Sequence, residues 1–168
     1  MDYCMSSRAL EGWSYVINGC LSAYPWDWWV SLSSRDYVPL TVIKNRYFWW
    51  LKVVRKQVGH HLENLWLVEK QERGVFHIHS VIFGVSSDYS NWKKAVYNWE
   101  TFHKMGSGVK FGDAKIEIFD QRRQKRLSRY LAKEFVQYSK ELIGSGSIWD
   151  VFGFSRGVRR HLKTAGRL

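Results

Sequence analysis

Four segments of the chain have the apolar patterns of β-strands. Residues 28–33 alternate between the two faces and are rich in strand-forming residues. Two apolar runs follow at about 64–70 and 75–83, and residues 114–119 alternate again. The alternation in the last segment sets Ile116 and Ile118 against Lys115 and Glu117.

Helical spacing of apolar residues predicts three helices. The first begins near residue 40 and ends at Gly59, because glycine commonly follows the last turn of a helix. The second covers about 90–104, with residues 86–88 as its cap, and the third covers about 121–140. Asp120 is placed to cap the third helix.

The order of these elements is strand, helix, strand, strand, helix, strand, helix. It predicts an α+β fold, a split βαβ (ferredoxin- or RRM-like) antiparallel sheet with flanking helices, two of them on one face. The other face is left for a ligand or for the final helix. We expect one domain over 1–168, with an N-terminal extension over about 1–25 and a basic C-terminal tail over about 144–168. This topology serves many functions and assigns none.

Composition points to a polyanionic partner. Lys and Arg outnumber Asp and Glu by 26 to 15, which gives a net charge of +11. Ten Trp among 17% aromatic residues suit single-stranded nucleic acid, because bases stack on rings while cations follow phosphates. Two cysteines make neither a disulfide framework nor a zinc ribbon. No apolar run approaches the roughly 20 residues of a membrane span, so we expect a soluble cytoplasmic protein without a membrane partner.

Two histidines, His77 and His79, lie two residues apart in the third predicted strand and therefore face the same side. The preceding residues 72–74 have the composition of a hairpin turn. A three-residue loop places Glu69 directly opposite His77, whereas a two-residue loop places Lys70 there. Two imidazoles and one carboxylate with open positions suit Mn²⁺ or Mg²⁺ better than closed structural zinc.

The helix after Asp120 carries Tyr130 and Lys133 three residues apart on one face. A tyrosine phenol, with an ordinary pKa of about 10, can act as a nucleophile in phosphoryl chemistry, and a nearby ammonium favours its phenolate. Packing in the core is the alternative interpretation of Tyr130. Glu134 could reach the metal or orient Lys133. The helix is also strongly basic, with cations at Arg122, Arg123, Arg126 and Arg129.

Three motifs in chain order carry a family resemblance. They are the apolar strand at 29–34, His77-Ile78-His79, and Tyr130-Leu131-Ala132-Lys133 followed by Glu134. Over about residues 26–140 the sequence resembles the HUH endonucleases, and within them the single-tyrosine Rep-type initiators of rolling-circle replication. Such proteins serve plasmids, phages and small single-stranded DNA viruses, in a prokaryotic cytoplasm or at a host-cell site of virus replication. The first motif departs from the usual Leu-Thr-rich strand, so no role is carried onto it.

The resemblance implies a divalent ion, Mn²⁺ or Mg²⁺, held by His77, His79 and Glu69, with Glu134 or Gln71 as the other candidates for the third ligand. It implies that Tyr130 attacks a scissile phosphate of single-stranded origin DNA, in linear or hairpin form. That step leaves a 5′-phosphotyrosine link and a free 3′-hydroxyl primer, and the strands can later be rejoined.

The implied DNA contacts are the basic helix and exposed aromatic side chains. They are Arg122, Arg123, Arg126, Arg129 and Trp28, with Trp26 and Trp29 as further aromatic candidates. A separate or host helicase and polymerase would act with the protein. Two alternatives remain open, a single-strand transposase or relaxase of the same superfamily, and a non-catalytic module that binds single-stranded nucleic acid.

Overall fold

The computed structural model describes residues 7–71, 73–85, 89–101, 110–142 and 150–166. One 3₁₀ turn, Gln121–Arg123, precedes the fourth helix, and Asp120 caps it by accepting from the backbone of Arg122. The cap predicted at residues 86–88 lies outside the described residues. The elements in chain order are α1 (Ser7–Leu21), β1 (Trp28–Ser33), α2 (Leu40–Val58), β2 (Glu63–Lys70), β3 (Phe76–Phe83), α3 (Tyr89–Glu100), β4 (Ala114–Ile118), α4 (Gln124–Leu142), β5 (Phe152–Phe154) and α5 (Arg156–Thr164).

The described strands form one antiparallel sheet in the order β4-β1-β3-β2-β5. The central strand β3 pairs along its length with β1 on one side and β2 on the other. The predicted α+β fold with a split βαβ core is therefore confirmed. The sheet is one strand wider than expected, because β5 from the C-terminal tail pairs with the edge of β2.

The helices cover the two faces of the sheet separately. On one face α2 packs with α3, and the buried Tyr47 hydroxyl of α2 lies 2.8 Å from Ser80 Oγ of β3. On the other face α1 packs on α4, where the rings of Trp13 and Phe135 lie 4.3 Å apart. The even-numbered residues of β3 thus face α2, and the odd-numbered ones, including the histidines, face α4.

Helix α3 is shorter than predicted. It ends at Glu100, and Thr101 forms a bridge to Lys110 instead of continuing the helix toward residue 104. The buried guanidinium of Arg46 explains this end, because its Nη2 donates to the carbonyl oxygens of Asn98, Trp99 and Thr101 at 2.6–3.0 Å. These are the carbonyls that a helix end leaves without an internal partner.

The two isoleucines of β4 differ in exposure, although they alternate with Lys115 and Glu117 as predicted. The side chain of Ile118 is 80% exposed, whereas Ile116 is buried. Ile118 is the last residue of β4, and β4 is the outermost strand on its side of the sheet. The end of an edge strand has fewer neighbours to cover it.

The C-terminal tail is folded onto the sheet, and the Phe152–Phe154 stretch shows why its glycine is needed. Gly153 faces Trp66 across the β2–β5 pair, so its position leaves no room for a side chain. Ser155 then accepts from the backbone of Asn64 at 3.2 Å and donates to Glu63, which fixes the start of α5. Among the described helices, none has both the length and the apolar character needed to cross a bilayer.

Replacing Gly153 by Ala is expected to destabilise the fold by about 1–3 kcal/mol, because a Cβ there would lie 2.7 Å from Trp66 Nε1. Urea denaturation measures this change. The control is Gly12→Ala in the exposed part of α1, where a Cβ would meet nothing within 4 Å. It should stabilise the protein by about 0.5–1 kcal/mol, since Ala is the better helix former. Equal effects of the two substitutions would contradict the packing argument.

Candidate metal and nucleophile site

The turn between β2 and β3 sets the register of the candidate site. The backbone N–H of Gln71 donates to the carbonyl of Val75 at 2.9 Å, and the N–H of Gly74 donates to Gln71 at 2.8 Å. Gly74 has φ of 83°, a conformation that side chains with a Cβ disfavour. The three-residue loop is confirmed, and Glu69 lies directly opposite His77.

Glu69, His77 and His79 form a compact cluster on the α4 face of the sheet. His79 Nε2 lies 2.6 Å from Glu69 Oε2. One potential ligand atom from each of the three residues lies within 4.8 Å of the others, and among the described residues this is the group identified as able to hold a metal. The three predicted ligands are therefore brought together.

The free ring nitrogens of the cluster fit a bound cation. The Gln71 side-chain amide lies 3.2 Å from His77 Nδ1 and so orients the ring. Nε2 of His77 is buried and has no hydrogen-bond partner within the described part of the chain. A buried polar atom left unpaired costs about 1–3 kcal/mol, and a divalent ion with imidazole and carboxylate ligands would remove that cost. Gln71 thus orients one of the ligand residues.

Burial and mutual charge set the protonation of the cluster. Burial by itself raises the pKa of Glu69, but the hydrogen bond and charge of His79, with His77 and the Tyr130 hydroxyl, bring this pKa below its ordinary value. Burial and then the charge of His79 lower the pKa of His77. An ionised Glu69 and a neutral His77 are the forms that bind metal.

Tyr130 lies at the solvent-exposed rim of the cluster. Its hydroxyl is 3.5 Å from Glu69 Oε2, and its ring meets the ring of His79 edge-on with centroids 6.0 Å apart. The side chain is 42% exposed, so the alternative of core packing is wrong, and the next residue, Leu131, packs in the core instead. A phenol oxygen that is both accessible and next to the cluster has the geometry of a nucleophile.

Lys133 and Glu134 follow Tyr130 on α4 in different environments. Lys133 is exposed on the turn after Tyr130, whereas Glu134 is buried. Burial and then the charge of Glu69 raise the pKa of Glu134, and the charges of Lys133 and His79 oppose this shift. Glu134 therefore adjoins the cluster electrostatically but is not among the three grouped ligands.

The choice of Trp28 as a DNA contact is wrong. Its side chain is buried on the α2 face of the sheet, as Val30 is, and Trp26 is buried as well. The neighbouring Trp29 points to the other face and stacks on His79, with centroids 5.3 Å apart and an interplanar angle of 7°. Because neighbouring residues of a strand face opposite sides of the sheet, Trp28 packs in the core and Trp29 contacts the cluster.

Two grooves open on either side of the cluster. A first groove of about 370 Å³ runs from Tyr130 and Trp29 along the start of α4, and its charged lining residues are Arg123, Arg126, Glu117 and Asp120. A second groove of about 330 Å³ lies beside His77. The polar residues that line the second groove were not predicted from the sequence; they include Ser31, Ser33, Arg73, Lys115, Glu100 and Asp113.

The predicted basic residues of α4 and of the turn before it differ in their ion pairs and in the groove that each lines. Arg122 forms an ion pair with Asp120 through Nε at 3.0 Å and does not line the first groove. Arg123 lines that groove and also approaches Asp120 at 3.4 Å. Arg126 lines the first groove, and Arg129 lies on the side of α4 that faces α1.

Comparison of the chain with protein-family models, curated proteins and solved structures gave no match. The features of this chain that indicate a function are therefore its motifs and the geometry of the cluster.

Glu134→Gln is expected to raise the melting temperature at pH 7 in the presence of a chelator. Because the folded protein raises the pKa of Glu134 above the ordinary 4.5, its carboxyl favours folding at low pH and opposes it once ionised. The advantage of the variant should shrink as the pH falls toward 4.5. Melting curves across this pH range test the prediction, with Glu117→Gln on the exposed edge strand as control. A constant difference at all pH values would refute it.

Proposed function

We propose that the protein cleaves single-stranded DNA by metal-dependent transesterification at Tyr130, as an HUH endonuclease of the Rep type that initiates rolling-circle replication. The observation that supports this most is the position of the Tyr130 hydroxyl. It lies 3.5 Å from Oε2 of Glu69, the same carboxylate oxygen that contacts His79. A nucleophile on α4 and a set of metal ligands on the sheet thus lie together, next to a groove that Arg123 and Arg126 line together with Glu117 and Asp120.

The chain's own residues account for the steps of cleavage. When bound by Glu69, His77 and His79, a divalent ion would polarise the scissile phosphate. The Tyr130 oxygen forms a bond to phosphorus while the bond from phosphorus to the 3′ oxygen breaks. The phenol loses its proton and the departing 3′ oxygen gains one. Lys133, on the next turn of α4, offsets negative charge on the phenolate and the phosphate.

The products follow from the balance of this reaction. The 5′ phosphate remains on Tyr130 as a phosphodiester, so the strand can be rejoined without ATP when a 3′-hydroxyl attacks it. The released 3′-hydroxyl can prime synthesis by a separate polymerase, with a helicase supplied by another protein or by the host. Single-stranded origin DNA, linear or as a hairpin, is the substrate we assign.

The first groove suits the DNA next to the scissile phosphate. Its wall combines the Trp29 ring with the cations Arg123 and Arg126. Aromatic rings stack on bases and cations pair with phosphates, which is how sequence-tolerant single-strand binding works. The same features would also serve a non-catalytic binding module, and a covalent product separates the two functions.

Tyr130→Phe is expected to abolish a covalent protein–DNA adduct. The assay incubates the protein and Mn²⁺ with a pool of single-stranded oligonucleotides of random sequence labelled at the 3′ end, because the 5′ phosphate of the labelled fragment would stay on the tyrosine. Denaturing electrophoresis detects the labelled protein. Tyr97→Phe, at an exposed tyrosine on α3, is the matched control and should retain the adduct. Equal labelling of wild type and Tyr130→Phe would exclude Tyr130 as the nucleophile.

Glu69→Gln and His77→Ala are each expected to weaken Mn²⁺ binding at least about tenfold, because each removes a ligand of the cluster. Titration calorimetry with Mn²⁺ measures the affinity in the absence of DNA. His60→Ala removes an exposed histidine and should leave the affinity unchanged. An unchanged titration for both cluster variants would remove the metal site from the proposal.

A further inference from the structure

A third groove, of about 540 Å³, lies between α1 and α4. Tyr15 and Asn18 of α1 form part of one wall, and Lys125, Arg126 and Arg129 of α4 form part of the other. None of its described lining residues is acidic. Asp120, close to the start of α4, pairs instead with Arg122 and Arg123, on the other side of that helix start.

The walls of this α1–α4 groove are held in place by packing. The ring of Trp13 contacts that of Phe135 at 4.3 Å, and Ile17 of α1 is fully buried. Near the groove itself, Gln124 Nε2 donates to Asn18 Oδ1 at 3.1 Å. A preformed groove loses less conformational entropy on binding than one that must be assembled.

Arg126 lines both the α1–α4 groove and the first groove, which contains Tyr130. Tyr130 and Arg126 are four residues apart, so their side chains lie one helical turn from each other. A strand that leaves Tyr130 can therefore cross α4 at Arg126 and enter the α1–α4 groove. Tyr15, which is 58% exposed, presents an aromatic ring in the α1–α4 groove.

We infer that the α1–α4 groove binds the continuation of the single-stranded DNA, with Lys125 and Arg129 on its phosphates and Tyr15 against a base. The N-terminal helix, which lies outside the predicted βαββαβ core, is then part of the substrate-binding surface. The identity of the ligand rests on the proposed function, whereas the groove and its charge do not.

The test measures the affinity of oligothymidylates of increasing length by fluorescence anisotropy at several salt concentrations. The wild type should bind chains of about 12 nucleotides more tightly than chains of about four, within the usual range of single-strand footprints. Lys125→Gln with Arg129→Gln should remove most of this gain and reduce the slope of log affinity against log salt by about 1.4, or about 0.7 for each lost phosphate contact. Tyr15→Ala should weaken binding of the long chain roughly tenfold.

The control removes equal charge from the opposite face of the sheet, with Lys52→Gln and Arg55→Gln on the exposed side of α2. This variant should keep the gain with length. The inference is overturned if the α4 double variant binds long chains as the wild type does, or if the α2 control loses as much affinity.

Adduct formation separates this inference from the proposed function. A wild type that binds long chains through this groove but forms no adduct with the random pool refutes nicking and leaves the groove as a binding site. An α4 double variant that forms the adduct and binds long chains normally refutes the groove and leaves nicking intact.

Discussion

The three-residue turn between β2 and β3 determines whether the candidate site exists. With Gly74 at φ of 83°, the turn closes so that Glu69 faces His77. Shortening the loop by one residue would place Lys70 opposite His77 and turn the Glu69 carboxylate to the other face of the sheet. An ammonium would then replace the carboxylate beside two imidazoles. The chemistry of the cluster therefore depends on the backbone conformation of one glycine.

The central strand β3 carries polar side chains on both faces of the sheet, and their hydrogen bonding differs. On the α2 face, the Tyr47 hydroxyl accepts from Asn64 and meets Ser80, so these three buried side chains are paired with one another. On the α4 face, the buried atoms His77 Nε2 and His79 Nδ1 have no hydrogen-bond partner among the described residues. The central strand therefore carries buried ring nitrogens without a protein partner on the face of the candidate site, as is common where function requires such groups.

The local patterns predict most of the fold, because periodicity, glycines and caps act within a few residues. They predict β1, the end of α2 at Gly59 and the cap at Asp120. They do not predict β5, which has three residues and exists because the edge of β2 accepts it. Nor do they show that Trp29 rather than Trp28 meets the cluster, since that depends on how β1 aligns with β3. The missed Ser31 and Ser33 follow from the same pairing, which sets them opposite His79 and His77.

The distribution of charge and aromatic groups bears on how an origin would be distinguished from other DNA. Cations such as Arg126 bind any phosphate, and rings such as Trp29 stack on any base, so neither selects a sequence strongly. Base edges are read by hydroxyls and amides, and by guanidinium groups when they pair with guanine. In the grooves beside the cluster, Ser31 and Gln71 provide such groups next to His77. If the protein nicks a specific origin, sequence readout is therefore expected on the His77 side, where hydroxyl, amide and guanidinium groups line one groove.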